Sequence, residues 1–160
     1  MPTLWAGIDA GKQTHHCVVI DHDGTVLLSR KVGDDETELL DLIATVFELG
    51  GDGREVRWAT DLTDGGAALM IALLAARGQQ LLYIPGRIVH HAAATYRGDG
   101  KTDAKDARII ADQARMRTDL QPVRVANQIA VDLRLLTSHR LDELHRAVRE
   151  APPRSRCDVG

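Results

Sequence analysis

The sequence predicts an α/β fold, with a mixed five-stranded sheet, helices on its faces and a helical extension at the C-terminus. Two observations carry this. Three apolar runs near the N-terminus are joined by links too short to hold a helix, which makes an antiparallel meander. Beyond them, helix-periodic and strand-like segments alternate, which lays helices against a mixed sheet.

Leu4 to Asp9 (LWAGID) has the length and apolar content of a short buried strand and ends at Gly11-Lys12. His16 to Ile20 (HCVVI) is a second strand, and Thr25 to Lys31 (TVLLSRK) is a third, with Asp21-His22-Asp23-Gly24 as the hairpin turn between them. From Asp35 to Leu49 the apolar residues Leu39, Leu42, Ile43, Val46 and Leu49 recur at helical spacing, and Gly50-Gly51 stops the helix. Glu55 to Thr60 (EVRWAT) is the fourth strand and runs into Asp61. Gly66 to Arg77 is apolar on all sides, as in a buried helix, with Gly78 as its cap. Gln80 to Ile84 (QLLYI) is the fifth strand, closed by Pro85-Gly86, and Arg87 to Tyr96 is a short helix. A polar loop, Arg97 to Thr102, leads to a further helix in which Thr102 is the N-cap and acids fill the first turn. Thr118 to Val125 contains Pro122 and breaks the pattern. Residues 1–125 therefore form the domain. Residues 126–150 form a helical extension whose leucines, from Leu133 to Leu144, suit a coiled coil and self-association, and residues 151–160 are an aperiodic tail expected to be disordered.

A hydrophobic fraction of 44% is ample for a core and excludes wholesale disorder. With only two Trp, two Tyr and one Phe, that core must be aliphatic. The net charge of -3 excludes a uniformly basic nucleic-acid binder but not a local patch, and the C-terminal third is rich in arginine from Arg115 to Arg156. Cys17 and Cys157 have no CxxC partner, which argues against zinc and against a disulfide scaffold. MPTLWAGIDA has no basic leader, and no stretch approaches the ~20 apolar residues of a membrane span. The expectation is a soluble, cytoplasmic protein.

The chemistry lies in the acids. Asp103 and Asp106 stand three apart at a helix start and so share a face, while Asp9 and Asp61 each end a strand. Four carboxylates drawn together repel unless cations neutralise them. Hard oxygen ligands favour Mg²⁺ or Mn²⁺, and a pair of such ions clamps the attacking and leaving oxygens of a phosphodiester.

Three stretches, WAGIDAGKQTHHCVVID, WATDLTDGGAAL and YRGDGKTDAKDARIIADQARM, resemble the N-terminal domain of the DEDD insertion-sequence transposases, the IS-one-ten family. The resemblance covers Leu4 to Glu150, and KTDAKDA is its most specific element. It implies a ribonuclease-H-like (RuvC-like) fold, with the family's four acids on Asp9, Asp61, Asp103 and Asp106. The family's second acid is usually glutamate, one methylene longer than Asp61, and Asp64 is the alternative ligand. The resemblance also implies DNA recombination guided by a structured RNA in a bacterial, nucleoid-associated protein. Family members continue into a coiled coil and a second domain with a catalytic serine. This sequence ends at Gly160, so the expectation is a shortened copy that binds metal, RNA or DNA without completing strand exchange.

Other features were weighed against plainer roles. Lys101 and Lys105 flank the acids, and Arg97, Arg108 and Arg115 are candidate backbone contacts for a nucleic acid, against the alternative of an ordinary charged face. His15-His16 and His90-His91 are discounted as chelating pairs because neighbours on a strand point to opposite faces. Gly98 to Thr102 mimics the end of a phosphate loop but has Thr95 where the first glycine is needed. GIDAGKQTHHCVVIDHDG also resembles the first phosphate motif of the sugar-kinase and actin superfamily. A nucleotide-binding module therefore stands as the alternative, and a non-catalytic dimerisation module as a third.

Overall fold

The structure is a computed structural model that describes residues 3–62, 65–96 and 102–123. The predicted extension at 126–150 and the tail at 151–160 lie outside these residues, as do Asp64, Arg97 and Lys101. In chain order the elements are β1 (Thr3–Ala10), β2 (Thr14–Ile20), β3 (Val26–Gly33), α1 (Glu36–Gly50), β4 (Glu55–Thr60), a 3-10 turn (Gly65–Ala67), α2 (Ala68–Ala76), β5 (Leu81–Tyr83), α3 (Gly86–Ala93), α4 (Asp103–Met116) and β6 (Gln121–Pro122).

The strands form one mixed sheet in the order β3-β2-β1-β4-β5-β6. The N-terminal meander is antiparallel, and β4 joins β1 in parallel, followed by β5 in parallel with β4. The turn between β2 and β3 is held by Asp21, whose Oδ1 accepts from the amides of Asp23 at 3.0 Å and Thr25 at 2.9 Å. A sixth strand corrects the expected five. Gln121 and Pro122, placed in a break by the proline, pair antiparallel with β5. An edge strand bonds on one side only, so the missing N–H of a proline is tolerated there.

Side-chain alternation divides the core between the two faces of the sheet. Leu4, Ala6 and Ile8 of β1, with Cys17 and Val19 of β2 and Trp58 of β4, pack against α1 and α2. On the other face, Ala59 and Ile84 meet Ile109 and Ile110 of α4 and Val89 of α3, while Val18 and Ile20 meet Ala107 and Ala111. Leu39, Leu42, Ile43 and Val46 of α1 are all buried, as their spacing predicts. At about 1.5–3 kcal/mol for each large aliphatic side chain, that stripe outweighs intrinsic helix propensity in fixing α1. Asp35 caps the helix by accepting from the Glu38 amide at 3.0 Å.

Candidate active site

The period-two alternation that sends Leu4, Ala6 and Ile8 to one face puts Trp5, Gly7 and Asp9 on the face covered by α4. Parallel pairing of β1 with β4 ends at Ile8 and Thr60, so the next residue of each chain segment is Asp9 and Asp61. The Thr60 carbonyl accepts the Ile84 amide at 2.9 Å, which ties the end of β4 to the segment entering α3. On the other side of β1, Asp9 pairs with His16 of β2. Two acids and a histidine therefore lie along one edge of one face.

Helix α4 brings the other two acids. Thr102 caps it by accepting from the Lys105 amide at 3.1 Å, so Asp103 and Asp106 fall in the first turn, where the helix dipole favours negative charge. Gly7 lets this helix lie directly on β1. A Cβ there would come within 2.9 Å of Ala111 Cα and closer still to the Ala107 carbonyl oxygen and the Ala111 amide nitrogen. Ala107 and Ala111, both fully buried, are the small residues of α4 that complete this contact.

Asp103 and Asp106 have different neighbours. Partial burial lowers the pKa of His16, the nearby charge of Asp103 opposes that shift, and Lys31 adds to it. The His16 ring is held by Ser29, with Nε2 2.8 Å from Oγ. Asp106 instead lines a cavity of about 430 Å³ between α3 and α4, together with Asp61, Val89, His90, Ala94 and Lys105. The four predicted acids thus occupy one region of the sheet edge without closing around one point. Among the described residues, the group of three ligands within 4.8 Å of one another is Asp21, His22 and Asp23 in the hairpin turn.

The basic candidates are placed differently from one another. Lys105 is half-buried on the cavity wall, and Arg108 is exposed on α4. Arg115 grips Asp112 Oδ1 through Nε at 2.9 Å and Nη2 at 2.6 Å, and donates from Nη1 to the His22 carbonyl at 3.3 Å. It fastens α4 to the β2–β3 turn. Tyr96 donates its hydroxyl to the other oxygen of Asp112, closing the end of the α3 segment onto α4.

Strand alternation separates His15 from His16 as expected. His15 is buried with Nε2 3.0 Å from Asp34 Oδ1, whereas His16 faces α4. His90 and His91 lie on a helix, not a strand, and their rings are 6.2 Å apart at 65°. His90 lines the cavity and is a further candidate beside the acids. Its signal was present, since Gly86, Val89, His90 and Ala93 follow the i, i+3, i+4, i+7 pattern of one helix face, and all four line the cavity.

A meander extended by parallel strands, with acids at the ends of two adjacent parallel strands and on a helix crossing them, defines a ribonuclease-H-like domain of the RuvC type. Two solved structures of Thermus thermophilus RuvC share this fold, one of them in complex with a Holliday junction substrate. The TM-scores are 0.51 and 0.52 at 16% identity, covering 75% and 76% of this chain and 99% of those chains. The sequence family is more specific. A family model described as transposase, of the DEDD IS110 type, matches residues 6–152, and the chain belongs to that family. It is 61% identical over 157 residues to the uncharacterized 42 kDa protein of insertion element IS900 from Mycobacterium paratuberculosis, covering 98% of this chain and 39% of that protein. It is 49% identical over 146 residues to the 44.8 kDa protein of IS116 from Streptomyces clavuligerus, covering 91% of this chain and 36% of that protein. The chain thus spans well under half the length of these relatives. Membership of a transposase family decides against the kinase-like alternative, which shares only the meander. Among the described residues, no helix is long and apolar enough to cross a membrane.

Proposed function

We propose that this domain binds Mg²⁺ or Mn²⁺ through Asp9, Asp61, Asp103 and Asp106 and acts on DNA phosphodiesters during transposition. The observation that carries this reading is the arrival of all four acids at one edge of one sheet face, two from adjacent parallel strands and two from the helix laid across them. The donor set is all carboxylate oxygen, which fits these hard cations, and Asp61 and Asp106 already share a cavity wall. When bound, divalent metal supplies Lewis-acid stabilisation of the oxygens of a phosphodiester.

The chain's own residues supply the frame. Asp9 and Asp61 are fixed by the sheet, and Asp103 and Asp106 by a helix that Gly7 allows to seat tightly. Lys105, on the same wall as Asp106, adds positive charge where a phosphate would lie. Asp61 stands where the family usually has glutamate, and Asp64 is its alternative as second acid. By likeness to the junction-bound RuvC neighbour the partner is structured DNA, and by family likeness a structured guide RNA directs the reaction in the bacterial cytoplasm at the nucleoid. Residues 126–150 would serve self-association. Residues 1–125 would then form the metal-binding domain.

Titration of Mn²⁺, followed by the loss of its free-ion electron paramagnetic resonance signal, tests the metal site. The paired substitution Asp103→Asn with Asp106→Asn is expected to weaken binding at least tenfold. Unchanged affinity in that variant would sink the assignment.

A further inference from the structure

We propose that the cavity between α3 and α4 receives a single unstacked nucleobase, that of a nucleotide whose phosphate lies at the acids. This rests on the proposed function of the acidic site and adds to it a place for the base.

The cavity shares two walls with the acidic site. Asp61 and Asp106 belong to both, so a phosphate that a divalent cation would hold at these carboxylates has its own sugar and base within reach of the space beyond them. That space is also lined by Val89 and His90 of α3 and by Ala94 just past its end. Its volume of about 430 Å³ falls in the range of about 300–1,000 Å³ that accommodates small organic ligands, which is far too small for a duplex and sufficient for one base with its sugar.

The lining chemistry points the same way. Val89 and Ala94 offer apolar surface for the face of a heterocycle, and His90 offers a ring nitrogen that can donate to or accept from its edge. Gly86 also borders the cavity. Gly86 is exposed and a Cβ built there meets nothing within 4 Å, so this rim position has room for a larger side chain. A base inside a duplex cannot enter without being unstacked and unpaired, which is easiest where the strand is already unpaired. The pocket would therefore favour reaction at a position where a strand is locally open.

The probe is 2-aminopurine nucleoside 5′-monophosphate, whose fluorescence responds to its surroundings, added to the full chain with Mn²⁺. Deoxyribose and ribose forms are tested separately, to distinguish a DNA from an RNA source of the base. Ala94→Leu and Gly86→Leu place bulk on two exposed lining positions of the cavity and leave every carboxylate in place. Each is expected to weaken binding of the preferred nucleotide at least tenfold while Mn²⁺ affinity and the circular dichroism spectrum stay as in wild type. Two variants at separate positions guard against a local folding defect in either one. Nucleotide binding that persists at wild-type strength in both folded variants overturns the pocket, as does a wild-type chain that binds Mn²⁺ but no nucleotide at millimolar concentration. Failure of the metal site is read separately, as Mn²⁺ binding that the Asp103→Asn and Asp106→Asn pair does not change.

Discussion

Replacing Gly7 with alanine adds one methyl group and is expected to displace the helix that carries half of the acidic site. The new Cβ would lie 2.9 Å from Ala111 Cα, against an ordinary carbon–carbon contact of about 3.5–4.0 Å, and would overlap the Ala107 carbonyl and Ala111 amide more severely. All three are backbone atoms of α4, so no rotamer change relieves the clash and the helix must retreat by about 0.6–1 Å. Overpacking of this kind costs about 1–3 kcal/mol. Loss of glycine's freedom in the unfolded chain offsets about 0.4–1 kcal/mol. A net loss of about 1–2 kcal/mol corresponds to a fall in Tm of about 2–8 °C for a chain of this size. Asp103 and Asp106 move with the helix, so Mn²⁺ affinity should fall about tenfold or more. Thermal denaturation and Mn²⁺ titration measure the two effects. Gly86→Ala, whose Cβ meets nothing within 4 Å, is the stability control and should be neutral or slightly stabilising. A Gly7→Ala protein as stable as wild type, with unchanged metal affinity, would refute the tight seating of α4 as the device that positions the acids.

Two further outcomes follow from the contacts around α4. Thr102→Ala removes the side-chain acceptor of the Lys105 amide and should cost about 1 kcal/mol in urea unfolding, with weaker Mn²⁺ binding because the first turn carries Asp103 and Asp106. Thr102→Ser should restore both, and a Ser variant no better than Ala would show that the cap is not the cause. Burial, then the hydrogen bond and charge of Asp112, push the Tyr96 phenol up from 10.0 to about 12. The fold thus favours the neutral phenol, and the associated stability is present below pH 10.0 and lost as pH rises through about 12. Tyr96→Phe should lower stability at neutral pH by about 1 kcal/mol and flatten that alkaline slope. Identical slopes in the two proteins would assign the pH dependence to other groups.

The candidate acids are legible because they sit where local rules place them. Asp9 and Asp61 follow apolar runs that end in turns, and Asp103 and Asp106 follow a Thr N-cap at the spacing of one helix face. The sixth strand was not legible, because two residues containing a proline have no strand pattern of their own and pair only because β5 offers an open edge. His90 was passed over by applying strand alternation to a helical segment, although the spacing of Gly86, Val89 and Ala93 around it was that of a helix face. Arg115 had the composition of a nucleic-acid contact, yet it is clasped by Asp112 and the His22 carbonyl, partners three and ninety-three residues away.

By itself the sequence determined the first five strands, the helices between them and the aliphatic core, and it singled out four candidate acids, since periodicity, capping and turn chemistry act over a few residues. Tertiary structure alone decided how those acids are shared out. Asp103 lies toward His16 and Asp106 toward Asp61 and the cavity because α4 crosses β1 at Gly7, where two backbones meet without a side chain between them. That angle and closeness depend on contacts between residues about a hundred positions apart, and no local pattern encodes them.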